Sequence, residues 1–141
     1  MIKVFTIGFG GKTKDQFMEI LDAVGIRALI DIRLWRVARF VPWAGGENLA
    51  TAPGGRYIYV PEFAPTKELL TGYRDGTVDW AGYEKIFNEL LTARRAEELF
   101  DASALDHICF LCSEKTADQC HRRLAAEYLA QHLANIRIVH L

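Results

Sequence analysis

The sequence predicts an α/β fold, on three observations. Short β-branched, aromatic and apolar runs alternate with amphipathic helical segments; two of those segments open with capping boxes; and residues 28–33 stay apolar almost to their end, as in a strand covered on both faces. Right-handed crossovers then give a single three-layer domain over residues 1–141, with a mostly parallel sheet of about five strands and helices on both faces.

Residues 4–7 form the first strand, which leaves through the glycine-rich turn Gly8-Phe9-Gly10-Gly11-Lys12. Thr13 and Gln16 cap a helix whose Phe17, Ile20, Leu21 and Val24 share one face before Gly25 stops it. The second strand finishes near Asp31 to Arg33, and residues 34–55, with Pro42, Pro53 and two Gly-Gly pairs, read as a long irregular loop. Residues 56–60 make a third strand that stops at Pro61, and residues 65–76 read as loop with a short helix. Asp79 caps a helix with Trp80, Tyr83, Phe87, Leu90 and Leu91 on its inner face, running towards Phe100. Residues 107–112 are the fourth strand. Thr116 and Gln119 form the second capping box, for a helix that buries Leu124, Ala125, Tyr128, Leu129 and Leu133, and residues 136–141 are the fifth strand.

Composition narrows the function classes. A chain of 141 residues buries roughly 70% of its unfolded surface, so folding requires neither disulfide nor metal. Its formal net charge of -1 creates no global field towards nucleic acid or anionic lipid. No apolar run approaches the ~20 residues of a membrane span. Three cysteines without a secretory signal are expected as reduced thiols in the cytoplasm.

In such sheets ligands bind outside the carboxyl ends of the strands, and here that edge carries Gly8 to Lys12, Asp31 to Arg33, Pro61-Glu62 and Cys112 to Arg122. The last segment is the richest. It places the thiol of Cys112 at a strand end and Cys120, His121 and Arg122 in the first turns of the next helix, whose free amides favour a thiolate or an anion. Glu114 or His121 is the candidate acid–base group, Cys112 or Cys120 the candidate nucleophile, and Lys115, Arg122 and Arg33 the candidate anion ligands. Each thiol is equally well read as a small core residue. Cys109 and Cys112 form a Cys-x-x-Cys, but three strand steps separate them by roughly 10 Å on opposite faces, beyond the disulfide reach of about 7 Å. Zinc on Cys112, Cys120, His121 and Asp31 or Glu114 stays open as an alternative. Tyrosine phosphatases need an arginine six positions after the nucleophile, where this chain has Asp118. Gly11-Lys12-Thr13 lacks the leading glycine of a phosphate-binding loop, since Thr6 occupies that position. Asp31 and Arg33 share a strand face and make either a structural ion pair or part of a site. Trp35, Arg36, Arg39, Phe40 and Trp43 interleave basic and stacking groups, which suits single-stranded nucleic acid or a loop tacked down by its aromatics.

Thr6-Ile7-Gly8, Asp31-Ile32-Arg33, Tyr57 and Pro61, and above all Leu111-Cys112-x-Glu114 followed by Cys120-His121-Arg122, resemble the DUF488 family over nearly the whole chain. The resemblance implies the fold and the cleft more than a reaction, and it marks Asp31, Arg33, Cys112, Glu114, Cys120, His121 and Arg122 as site residues. Phe9 and Tyr59 stand where histidines are common in that family, and Ala64-Pro65 where a Gly-Gly turn is typical, which implies a changed activity if those histidines serve acid–base catalysis elsewhere.

The expectation is therefore a protein that binds an anionic ligand, a phosphate-bearing small molecule or nucleic acid, at Gly8, Asp31, Arg33, Lys115 and Arg122, with thiol or acid–base chemistry at Cys112, Glu114, Cys120 and His121. No cofactor and no membrane partner is assigned. The alternative is a non-enzymatic nucleic-acid or protein interaction module in which the Cys/His cluster is structural.

Overall fold

Five strands, β1 (Ile2–Gly8), β2 (Ala28–Asp31), β3 (Tyr57–Tyr59), β4 (Ile108–Cys112) and β5 (Ile136–His140), pair in the order β3-β2-β4-β1-β5 in the computed structural model. Every pairing is parallel. The structure describes residues 1–52 and 56–141; Pro53 and the Gly54-Gly55 pair lie outside the described residues.

The helices α1 (Lys14–Val24), α2 (Gly46–Ala50), α3 (Lys67–Arg74), α4 (Trp80–Ala93) and α5 (His121–His132) divide between the two faces. The crossover from β1 to β2 runs one way across the sheet, while those from β3 to β4 and from β4 to β5 run the other way. Constant handedness therefore sends α1 to one face and α3 to α5 to the opposite one. Phe17 and Leu21 of α1 pack with Phe5, Ile7, Leu29 and Leu111, whereas Tyr83, Phe87, Leu91, Leu124 and Leu129 pack with Val4, Ile30, Ile108 and Phe110. The alternation along β4 places Cys109 with the α1 layer and turns Cys112 to the α5 side.

The Thr13–Gln16 capping box is present at α1, Gly25 closes that helix in the left-handed region, and Asp79 caps α4. Three expectations are corrected. Residues 113–119 are loop, and α5 starts at His121 with Cys120 as its N-cap, so the Thr116 box is not formed. The cause is tertiary: the Glu114 carbonyl is held by the Arg122 Nη1 at 2.7 Å, which draws the loop back over β1 instead of letting it coil. The fourth helix ends at Ala93 rather than near Phe100, because Arg95 takes the left-handed conformation (φ 52°) and Arg94 turns its guanidinium to the Glu62 and Ala64 carbonyls. The long loop contains a 3-10 turn (Pro42–Ala44) and α2, anchored by Ala44 and Leu49 in the α1-side core. The short helix expected within residues 65–76 is present as α3, capped by the Thr66 hydroxyl on the Leu69 amide at 3.1 Å.

Candidate functional site

At the carboxyl edge of the sheet β1 and β4 are neighbours in register, Gly8 opposite Cys112, and their onward crossovers leave in opposite directions. Such a switch point is where open α/β sheets form their crevice. Here the β1 side of it is closed by the chain itself. A Cβ on Gly8 would lie 1.5 Å from the Glu114 carbonyl oxygen and 2.4 Å from the Arg122 Nη1, so only glycine permits residues 113–115 to lie across this strand end. The predicted ligand residue Gly8 is thus under the loop, its carbonyl accepting the Lys12 Nζ at 2.8 Å.

The open part of the edge is the β2–β4 side. Arg33, Leu34, Trp35, Pro65, Leu70, Arg74, Cys112, Ser113, Glu114, Cys120 and His121 line a cleft of about 70 Å³. A second lobe of about 90 Å³ shares Leu70, Arg74, Glu114, Cys120 and His121 and adds Tyr73, Trp80, Tyr83 and Gln119. Both are far below the ~300 Å³ of a small-molecule pocket, which limits the occupant to a group of a few heavy atoms.

Four residues set the chemistry of this cleft. Arg122, only 1% exposed, donates from Nη1 to the Cys112 Sγ at 3.0 Å as well as to the Glu114 carbonyl, and its Nε has no hydrogen-bond partner. Burial lowers its pKa from the ordinary guanidinium value, yet a group of that class remains charged, and a fixed cation against Cys112 favours the thiolate. The His121 Nε2 lies 2.7 Å from the Ile32 carbonyl oxygen, so that nitrogen carries the proton and Nδ1, 4.0 Å from the Cys120 Sγ, is the free base. Burial pushes the imidazole down to about 4, keeping it neutral at physiological pH.

The sulfurs of Cys112 and Cys120 are brought into contact with each other, and Cys109 stands apart from them. The strand end and the helix cap flank one short loop, and both side chains turn into the same cleft. Cys109 is buried on the other face, where desolvation raises its pKa. The predicted separation of Cys109 from Cys112 holds.

Asp31 and Arg33 form a bidentate buried pair, Nε to Oδ1 at 2.9 Å and Nη2 to Oδ2 at 2.8 Å, with side chains 0% and 4% exposed. The Tyr57 hydroxyl donates to the same carboxylate, and burial together with that bond raises the tyrosine to about 12. Arg33 therefore reaches the cleft while Asp31 stays behind it. Glu114 has an exposed side chain at the rim, and Lys115 lies on the far side of the loop against Gly10 and Gly11. Cys112, Glu114, Cys120, His121 and Arg33 are brought to one cleft, with Arg122 beneath it; Gly8, Asp31 and Lys115 are outside it.

Sequence reasoning missed Arg74, whose guanidinium lies 5.3 Å from the Trp35 ring centroid, and the aromatic wall of Tyr73, Trp80 and Tyr83. The Thr66 cap and the Leu69, Leu70 and Tyr73 spacing were the signals for the helix that carries Arg74. Among the described residues no group of three His, Cys, Asp or Glu side chains is arranged to hold a metal ion. The zinc set is not assembled: the two sulfurs are turned onto each other, and the His121 Nε2 is engaged by Ile32. No described helix is long and apolar enough to cross a membrane.

Residues 13–129 match the model of a family described as Domain of unknown function DUF488. No curated protein and no solved structure matches the chain.

Proposed function

Because the chain belongs to the DUF488 family, a domain family of unknown function, we propose its role from the site alone: it binds a small anionic group, the phosphate of a metabolite or of a nucleic-acid end, in the cleft above Cys112, where the reduced thiol acts as nucleophile. The observation that carries this reading is Arg122, a nearly fully buried guanidinium in contact with the Cys112 Sγ, at a strand edge that also holds Arg33 and Arg74. The cleft accepts the anionic group and leaves the rest of the ligand outside. The cytoplasm, which keeps thiols reduced, is the compartment this chemistry requires. Titration of the reduced chain with inorganic phosphate, followed by amide chemical shifts of residues 112–122, should give saturable binding. Arg122→Ala and Cys112→Ser, each verified by cooperative urea unfolding, should weaken it at least about tenfold, as expected for loss of one charge-assisted hydrogen bond. Unchanged affinity in both folded variants removes this site.

The interaction-module reading has one observation of its own. A cavity of about 580 Å³ is lined by Arg36, Val37, Ala38, Arg39, Pro42, Glu47 and Asn48, beside Phe40, which is 90% exposed. Trp43 is not available for stacking, because it packs edge-on against Phe9 and against Phe17. On this reading, oligonucleotide binding falls steeply with salt and is lost in an Arg36→Ala/Arg39→Ala variant. Salt-independent or absent binding ends it.

A further inference from the structure

Beyond anion binding, we infer that Cys112 and Cys120 form a peroxide-reducing dithiol, with Cys112 as the attacking thiolate and Cys120 as the resolving thiol. The two sulfurs are in contact, and each faces a different partner: Cys112 the Arg122 guanidinium at 3.0 Å, Cys120 the His121 Nδ1 at 4.0 Å. A cation beside one thiol and only a neutral ring beside the other makes Cys112 the more ionised of the two, and so the attacking one. Cleft size selects the oxidant. Cys112 and Cys120 are 1% and 3% exposed at the floor of a cleft of about 70 Å³, which admits hydrogen peroxide or a small alkyl hydroperoxide and keeps out a bulky disulfide.

In the first step the Cys112 thiolate attacks one peroxide oxygen. The O–O bond breaks, and the departing hydroxide or alkoxide takes up the proton that the thiol had released to solvent, leaving Cys112 sulfenic acid and water or alcohol. In the second, Cys120 gives its proton to solvent while its sulfur attacks the Cys112 Sγ. The S–O bond breaks, and the departing hydroxide receives a proton back from solvent as water, so two thiols and one peroxide become a disulfide and two molecules of water, or one of water and one of alcohol when the oxidant is an alkyl hydroperoxide. A small dithiol reduces the disulfide and closes the cycle. Cys109, sealed on the opposite face, takes no part.

The test uses reduced, desalted full-length chain and one equivalent of hydrogen peroxide at pH 7. Two thiols should be lost per chain with Cys109 retained, and the mass should fall by two hydrogens. Peroxide should disappear at least about tenfold faster than with free cysteine, since an ordinary thiol is only a few per cent ionised at that pH. Cys120→Ser should halt at Cys112, captured as its dimedone adduct. Consumption at the free-cysteine rate, or an adduct on Cys109 or Cys120 in place of Cys112, overturns the inference; the wild-type rate decides the matter even if the variant does not fold. Phosphate binding measured on the same preparation separates the two readings. Binding without peroxide turnover sinks the dithiol and spares the anion site, and turnover without binding does the reverse.

Discussion

The imidazole of His121 and the carbonyl of Ile32 are 2.7 Å apart, a bond between the first residue of α5 and the chain just beyond β2. It ties the helix that carries Arg122 to the strand that presents Arg33. It also fixes which ring nitrogen is protonated, and so makes the acid sensitivity of the edge predictable.

Burial brings His121 from 6.5 to about 4. Between those values the unfolded chain binds a proton that the folded chain refuses, so stability rises with pH across the window. The contribution is complete above about 6.5 and is lost as the pH falls towards 4. For this half-buried ring it amounts to on the order of 2 kcal/mol. Urea unfolding at several pH values should show wild type losing this increment relative to His121→Asn. His140 is also lowered, mainly by burial, and contributes in both proteins. Parallel stability curves for the two proteins would refute the assignment.

Gly8→Ala should destabilise the fold by at least about 2 kcal/mol, because the added methyl meets backbone and a buried guanidinium rather than the tip of a flexible side chain. The loop over β1 must shift, and Arg122 with it. A urea midpoint equal to that of wild type would show that the loop yields freely.

Breaking the Asp31–Arg33 pair with Asp31→Ala leaves a buried guanidinium uncompensated and should cost about 3–5 kcal/mol, whereas the apolar double replacement Asp31→Leu/Arg33→Met should recover most of that loss. If the double variant is no more stable than the single one, the pair and its Tyr57 hydroxyl contribute more than mutual compensation.

Thr13→Ala removes a formed capping box and should cost about 1 kcal/mol; Thr116→Ala removes a residue of the same kind from a loop and should cost nothing measurable. Equal losses at both positions would contradict the observed start of α5.

The contrast between those two threonines shows what was legible in the sequence. At Thr13 the local signals, the hydroxyl, the Gln16 side chain and the apolar stripe behind them, agree with the tertiary structure. At Thr116 they compete with a long-range contact, the Arg122 guanidinium on the Glu114 carbonyl, which no local pattern encodes. Strand order is equally non-local, yet the alternation of elements was enough for a parallel sheet with two helical layers. The cluster at Cys112, Cys120 and His121 was readable because all three lie within ten positions of one another. The sulfur–sulfur contact was not, since it depends on the side chains at a strand end and a helix cap turning into the same cleft. Arg74 and the Trp35 ring come from segments far apart in the chain and meet only through the packing of α3.

In the sheet order β3-β2-β4-β1-β5, the first two strands never touch: β1 bonds only to β4 and β5, and β2 only to β3 and β4. A polypeptide shortened to end before Ile108 would hold the β2–β3 pair and a solitary β1, with no keystone between them. The fourth strand is that keystone, and it bears Cys112 at its tip. Assembly of the reactive edge and closure of the sheet are therefore one event, dominated by contacts distant in sequence, which predisposes this topology to slow, late commitment on the folding pathway.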